Sequence, residues 1–369
     1  MSTGKTHISD MQNRAPAEPW LRGYGFVQVL VVTLVAVGHI STLPQGPGNP
    51  EFLHHFGYDP SWLGVNVLFI LAGFMAMRSL ARETGGLKVL ISRIVRIFPY
   101  LAAYALLIVL LVYPILGKPA GSVADLFRHL GLYAIDVLAC IDPGRKLPGL
   151  LDNSKYQCVI QGAIWTFRWG IIAYVGITIT AKLGLLESRW KVLALAVAAV
   201  CGYVGIFSIQ VWGAFPIPDS IQPAARLGAM FAIGMAIFTY RETLFRRHWL
   251  IPALLSAALI QYFLLPWTPL IEVFASVFWA LTAFALMQTR WAERLSPNKK
   301  QGLAIALYIF HWPIAQLILL SWPQTTPFGL IAISLPIVFA FSAALSFIVS
   351  KGSPSGKRLA SWSRSGNHA

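Results

Sequence analysis

The sequence predicts an all-α, polytopic integral membrane protein with about ten transmembrane helices. Three observations predict this fold class: an apolar composition, apolar runs close to the length that crosses a bilayer, and basic residues that lie between those runs. Of the 369 residues, 56% are hydrophobic and 12% are charged, whereas about 25% of residues are charged in soluble domains. This composition excludes an ordinary soluble domain and a disordered chain. With three cysteines, a disulfide scaffold is excluded as well.

The individual spans follow from the length of helix that a bilayer core requires, about 20 residues per crossing. The first twenty residues are polar and lack the short apolar stretch and cleavage site of a signal peptide, so the first span is expected to act as its own insertion signal. The predicted spans cover residues 24–43, 62–80, 98–117, 161–181, 192–212, 224–240, 249–265, 269–288, 302–320 and 329–350.

The distribution of Lys and Arg predicts the orientation, because cytoplasmic loops are enriched in these residues. With a cytoplasmic N-terminus, twenty-two Lys and Arg residues fall inside and five outside, while Arg168 and Arg226 fall within spans. An even number of spans then places both termini in the cytoplasm. This topology also explains the net charge of +15, so nucleic acid is not expected as a partner.

The chain divides into three parts. Residues 1–22 form a polar cytoplasmic N-terminus, and residues 23–350 form the transmembrane domain. Residues 351–369 form a basic tail, rich in Ser and Gly, that is expected to be disordered.

One outer segment, at about 118–160, is long. Its apolar stretch 129–140 is too short to cross a bilayer, which predicts a helix that lies on the membrane or dips into it. Cys140 and Cys158 fall in this segment, and their spacing leaves a disulfide open without establishing its geometry.

His39 is the first candidate functional residue. It lies near the outer end of the first span, 11 residues after Gln28, so the two side chains share nearly one helix face and lie about 16 Å apart along the axis. A neutral imidazole at that depth can act as a general base on a hydroxyl group. The alternative is a structural histidine bonded to a neighbouring carbonyl.

Arg93 and Arg96 form a second candidate site. They lie three residues apart, on the same face of a helix that starts at the cytoplasmic surface. Two guanidinium groups there can bind the phosphates of a cofactor such as a coenzyme A thioester. The alternative is a pair of inside charges that bind lipid head groups.

Other ionisable residues fall within or near spans. Arg168 has no acidic partner in its own span, and His311 lies midway through the ninth span, two residues before Pro313. The carbonyl that this proline frees, or a water, is expected to satisfy the His311 ring. Asp136, Arg226 and Glu272 lie near span ends, where a solvated interfacial role is expected.

Several classes of chemistry lack sequence support. There is no HExxH pattern, no Cys/His spacing of a metal site, no GxSxG elbow and no P-loop. The sequence therefore favours neither metal-dependent nor serine hydrolysis, nor ATP-driven transport, and no metal is expected.

Six motifs occur in the order found in the membrane-bound acyltransferase type 3 family, whose members O-acylate glycans and other exported acceptors. The chain resembles this family over most of its membrane domain. The matching segments are His39 at the end of the first span, Gly64 to Phe74, Arg93 and Arg96 followed by Phe98 and Pro99, Trp165 to Tyr174, Phe231 to Gly234, and Tyr308 to Pro313.

The chain departs from the family pattern at polar positions. Gln28 stands where the family has Arg, Asn66 where it has Asp, Ala72 where it has Ser, and Gly170 where it has Glu. Losing both members of a buried charge pair can be far less harmful than losing one. Arg168 is a candidate replacement for the missing cation.

The resemblance implies a multi-pass O-acyltransferase of the bacterial inner membrane. It would move an acetyl or similar short acyl group from acyl-CoA to a hydroxyl of a cell-envelope or exported glycan. The implied catalytic base is His39, the implied acyl-CoA ligands are Arg93 and Arg96, and the supporting positions are Gln28, Asn66, Trp165, Arg168, Tyr174 and His311. Two alternatives stay open: a non-catalytic homologue that acts as an assembly partner, and a glycan or lipid transporter.

Overall fold

The fold is taken from a computed structural model. It describes residues 21–352, apart from 56–57, 83–84, 119–121, 142–145, 148, 214–215, 217, 219, 246–249, 266 and 297–301. Most of the predicted N-terminal segment and of the predicted basic tail lies outside the described residues.

The described residues form helices joined by loops, with one isolated β-bridge between His55 and Tyr58. In chain order the helices are α1 Tyr24–Thr42, α2 Pro60–Arg82, α3 Gly86–Leu107, α4 Tyr113–Leu116, α5 Val123–Ala139, α6 Trp165–Lys182, α7 Arg189–Trp212, α8 Ile221–Thr239, α9 Arg241–Phe245, α10 Leu250–Leu264, α11 Pro269–Met287, α12 Arg290–Leu295, α13 Gly302–Ser321 and α14 Pro327–Gly352.

Eight helical segments within the described ranges are long and apolar enough to cross a membrane. Two more helices, α6 and α10, lie at the predicted fourth and seventh spans, but α10 has only 15 residues and α6 carries Arg168 and Lys182. The prediction of an all-α, polytopic membrane protein is therefore confirmed. The orientation of the termini stays a prediction from charge.

The helix that contains the predicted third span, 98–117, is longer than that span. It begins at Gly86 and continues to Leu116. Arg93 and Arg96 therefore lie about two to three turns inside it. A π-helical turn, Ile108–Val112, joins α3 to α4.

The outer segment contains α5, which begins with a capping box between Ser122 and Asp125. The hydroxyls of Tyr133 on α5 and Tyr104 on α3 are hydrogen-bonded, and Cys140 at the end of α5 shares a small cavity with Leu101 of α3. The helix thus packs against α3. Its position relative to the membrane stays a prediction.

The cysteines of this segment form no disulfide. Cys140 is buried, with its thiol 3.7 Å from the Val137 carbonyl, and the Cys158 thiol lies 3.1 Å from a carboxylate oxygen of Asp152.

Helices α2 and α8 pack closely through two glycines. A Cβ atom added to Gly73 would lie 2.0 Å from the Phe231 carbonyl oxygen, and one added to Gly234 would lie 1.9 Å from the Ile70 carbonyl oxygen. Small residues allow this backbone approach between transmembrane helices, where van der Waals contact replaces the hydrophobic driving force. The α2–α8 contact therefore depends on the absence of side chains at both positions.

We expect Gly73→Ala to destabilise the fold by about 1–3 kcal/mol, because the new methyl group must push α8 away from α2. The matched control is Gly228→Ala on α8, where an added Cβ meets no atom within 4 Å. Thermal unfolding of the purified protein in detergent measures both. Equal unfolding temperatures for the two variants would contradict the packing argument.

Candidate active site

A cavity that is partly open to the surroundings lies between α1, α2, α3, α6 and α13. Most of its lining side chains are aliphatic or aromatic, and the described lining residues include no carboxylate. Its polar lining residues are Tyr24, Gln28, Arg93, Arg96, Thr166, Tyr174 and Tyr308. The cavity is therefore apolar inside and positively charged where α3 borders it.

The predicted arginine pair faces this cavity. Arg93 is half-buried and Arg96 is exposed, and the Arg93 guanidinium carbon lies 5.4 Å from the ring centroid of Tyr174 on α6. This is within the range of a cation–π contact, which orients the Arg93 side chain. The pair can bind an anion that enters the cavity from this end.

Three departures from the family motifs face the same cavity. Gln28, Ala72 and Gly170 all line it. The side-chain oxygen of Gln28 is buried without a hydrogen-bond partner among the described residues, and a Cβ atom on Gly170 would meet no atom within 4 Å. The positions of the missing Arg and Glu are thus neighbours of one space, as expected if a charge pair was lost together.

His39 lies beyond the cavity and pairs with His311. The Nδ1 atom of His39 is 3.0 Å from Nε2 of His311, and the two ring planes are inclined by only 17°, with centroids 5.3 Å apart. The Trp312 ring packs edge-on against His39. The hydrogen-bond partner of His39 is thus another imidazole and not a neighbouring carbonyl, and the catalytic role of His39 stays a prediction.

Tyr308 connects the cavity with the histidine pair. Its hydroxyl lies 2.9 Å from the Thr166 hydroxyl and donates to the Ala163 carbonyl at 3.2 Å. Its ring lines the cavity on one side and lies 5.9 Å from the His311 ring centroid on the other.

The expected partner of His311 is wrong. The carbonyl that Pro313 frees is that of Ile309, and it accepts a hydrogen bond from the side-chain amide of Gln161. Nδ1 of His311 instead lies 3.2 Å from the Leu307 carbonyl oxygen, one turn earlier in α13.

Glu272 and Arg226 are not solvated interfacial residues, contrary to the sequence-based expectation. Glu272 is 0% exposed and Arg226 is 1% exposed, and the two form an ion pair at 3.7 Å. Asp136 is also buried. A position near the end of a span does not indicate whether the side chain faces solvent or other helices. Both residues of this pair face other helices.

The Glu272 carboxylate accepts four further hydrogen bonds. Its donors are the indole of Trp62 at 2.8 Å, the amide of Asn66 at 2.7 Å, the hydroxyl of Tyr203 at 2.9 Å and the indole of Trp267 at 3.1 Å. The Arg226 guanidinium carbon lies 3.3 Å from the Trp62 ring centroid. The cluster joins α2, α7, α8 and α11.

This cluster explains the departure at Asn66. The amide nitrogen of Asn66 donates to Glu272 and, at 3.0 Å, to the Ser276 hydroxyl. An ionised Asp at this position has no donor and would place a second negative charge beside Glu272. Asn66 therefore contributes to the buried cluster rather than to the cavity lining.

The remaining supporting residues are divided between the cavity and its surroundings. Tyr174 lines the cavity, whereas Trp165 packs against the main apolar core. Arg168 donates from Nε to the Cys140 carbonyl at 3.4 Å and is not a lining residue. Arg168 therefore does not occupy the place of the missing cation.

The family of the chain follows from its similarity to known protein families. A family model described as an acyltransferase domain matches residues 23–350, which is most of the chain. The chain belongs to the membrane acyltransferase type 3 family. No curated protein and no solved structure matches it.

We expect Glu272→Leu to lower stability by about 3–5 kcal/mol, because it leaves the Arg226 charge buried without its partner. The double variant Arg226→Leu/Glu272→Leu should lose less, because it removes both charges. Thermal unfolding in detergent measures each variant.

The matched control is the exposed ion pair between Arg22 and Glu293, which lies at 3.6 Å with both side chains about half exposed. Glu293→Leu should change stability by about 1 kcal/mol or less. A double variant that unfolds as early as Glu272→Leu would refute the charge-pair explanation.

Proposed function

We propose that the protein is an O-acyltransferase of the bacterial inner membrane. It moves an acetyl or similar short acyl group from acyl-CoA to a hydroxyl of a cell-envelope or exported glycan. Membership of the acyltransferase family gives the reaction class. The observation that carries the proposal further is a cavity with two arginines at one end and a histidine pair beyond its other end.

The arginine end suits the donor. Coenzyme A carries several phosphate groups, and guanidinium groups bind phosphate oxygens through paired hydrogen bonds. The described residues that line the cavity include no carboxylate that would compete with a phosphate for Arg93. The apolar interior suits the uncharged arm and acyl group of the donor.

The histidine end suits the acceptor. In the proposed step, His39 takes the proton of the acceptor hydroxyl as its oxygen attacks the thioester carbonyl. The acyl–oxygen bond forms, the acyl–sulfur bond breaks, and the coenzyme A thiolate leaves. The thiolate then takes the proton from His39, so that the histidine returns to its neutral form.

The arginine end of the cavity and the histidine pair lie toward opposite ends of α1. Gln28, which lines the cavity, and His39 are about 16 Å apart along α1. The positive-inside rule assigns the arginine end to the cytoplasm, where acyl-CoA is made, and the His39 end to the outer side. In the proposed function, the acyl group therefore has to pass from the cavity toward His39 to reach an exported acceptor.

A second candidate function is that of a non-catalytic family member that serves as an assembly partner. The uncharged residues Gln28 and Gly170 in the cavity favour it. It predicts a protein that binds its partners without any acyl transfer.

Glycan acylation can be tested on the cell-surface glycan of three strains: the deletion, the deletion with the wild-type gene, and the deletion with His39→Ala. Mass spectrometry and proton NMR should find an acyl ester only with the wild-type gene, because the other strains lack the base. Identical glycans in all three strains would contradict glycan acylation and favour the non-catalytic candidate.

Binding of the acyl-CoA donor by Arg93 can be tested by substitution. Arg93→Ala should raise KM for acyl-CoA about tenfold or more with a smaller effect on kcat, since a hydrogen bond to a charged group contributes about 1.5–3 kcal/mol. Steady-state assays with purified protein measure this. Lys88→Ala is the matched control, because Lys88 is exposed on the same helix and does not line the cavity. Equal KM values for the two variants would argue against phosphate binding by Arg93.

A further inference from the structure

A chain of hydrogen bonds runs from the backbone of α13 to His39. Nδ1 of His311 lies 3.2 Å from the Leu307 carbonyl oxygen. A carbonyl oxygen only accepts hydrogen bonds, so the hydrogen bond requires a proton on Nδ1 of His311. A neutral imidazole carries one proton, which leaves Nε2 of His311 as an acceptor.

The position of the proton on the His39 ring follows from that on His311. Nε2 of His311 is 3.0 Å from Nδ1 of His39. Because the His311 nitrogen is the acceptor, Nδ1 of His39 is the donor, and the neutral His39 ring has its lone pair on Nε2. No hydrogen bond to that nitrogen is formed within the described part of the chain.

The surroundings of the two rings differ. His311 is 0% exposed, whereas His39 is only partly buried. The His39 ring contacts the hydrogen-bonded His311 ring and packs edge-on against Trp312, which is in turn packed edge-on by Tyr156. The inner histidine is thus closed to substrate, whereas the outer one keeps part of its surface exposed.

We infer that His311 is a positioning residue, which holds His39 in the Nδ1–H tautomer and leaves Nε2 of His39 free to take a proton. The inference rests on the proposed function for the identity of the proton donor, the acceptor hydroxyl, but the tautomer itself is independent of any activity. His311 does not contact the reacting atoms in this arrangement.

The hydrogen bond to His311 also stabilises the protonated, positively charged form of His39. When Nε2 of His39 accepts a proton, its Nδ1–H bond to the neutral His311 becomes charge-assisted and therefore stronger. The Leu307 carbonyl keeps the His311 proton on the far nitrogen, so His311 remains an acceptor throughout. Proton transfer to His39 is favoured without a second proton having to move.

The tautomer can be measured directly. Protein labelled with ¹⁵N-histidine is placed in lipid nanodiscs, and the ring nitrogens are recorded by long-range ¹H–¹⁵N correlation for the wild type and for His39→Gln. The difference isolates His39, and we expect protonated Nδ1 and unprotonated Nε2. A wild-type His39 protonated on Nε2 would overturn the inference, whatever the enzymatic activity is.

The same measurement on His311→Phe and His311→Gln tests the cause. Phe fills the space without an acceptor, so the His39 proton should no longer be held on Nδ1. Gln offers a side-chain oxygen close to the place of Nε2 and should retain the Nδ1–H tautomer. An unchanged His39 tautomer in a folded His311→Phe protein would also overturn the inference.

Activity provides the third readout. We expect His311→Phe to lower kcat by about 10²-fold or more at an unchanged KM for acyl-CoA, because general-base catalysis contributes about 10²–10⁴-fold. His311→Gln should recover part of that loss, and His129→Gln, which alters an exposed histidine on α5, should leave kcat unchanged. A His311→Gln protein that folds but is as slow as His311→Phe would count against positioning.

The two proposals fail in different ways. If the wild-type protein transfers no acyl group but His39 carries its proton on Nδ1, the proposed function fails and the inference about His311 stands. If acyl transfer is found and His39 carries its proton on Nε2, the proposed function stands and the inference about His311 fails.

Discussion

The rest of the structure depends on the buried carboxylate of Glu272. In the apolar interior of a membrane protein an unpaired charge is costly, yet this carboxylate is stable because it accepts four hydrogen bonds and pairs with Arg226. The cluster fixes α2 against α7, α8 and α11, and the contact at Gly73 fixes α2 to α8 again further along. Helix α1 packs on α2, where a Cβ atom added to Gly64 would lie 2.5 Å from the Val35 side chain. The helix that carries Gln28 and His39 is thus supported, through α2, by an ion pair that touches neither residue.

Helix α1 sets the length of the site. Gln28 near its start borders the cavity, and His39 near its end belongs to the histidine pair. Tyr308 of α13 contacts both regions, because its hydroxyl and ring occupy the wall between them. In the proposed function, anion binding and proton abstraction therefore take place at separate positions on one rigid frame, and an acyl donor that reaches both has to be long and extended.

The sequence predicts this fold well and its site only in part. Hydropathy and helix length place a helix at each of the ten expected spans, because the bilayer demands the same length of apolar helix each time. Eight of the described segments are long and apolar enough to cross a membrane. The spacing of Arg93 and Arg96 predicts a shared face because it is a local property of one helix. The pairing of His39 with His311 and of Arg226 with Glu272 joins residues that are far apart in the chain, and helix periodicity carries no information about which helices become neighbours. Asn66 is an example: the family comparison marks it as a loss, whereas its amide nitrogen is the donor that a neighbouring carboxylate requires.

The π-helical turn between α3 and α4 has a consequence for the way the outer segment docks. In an α-helix each step of four residues rotates a side chain by about 40°, so two steps would move Val112 about 80° from the face of Tyr104. The wider turn at Ile108–Val112 reduces that drift, and Tyr104, Ile108 and Val112 are all buried in one cluster with Tyr133 and Val137 of α5. Because of the extra residue in this turn, the buried side chains stay on one face of the helix and do not shift gradually around it. A second helix can therefore pack along that face without coiling around the first.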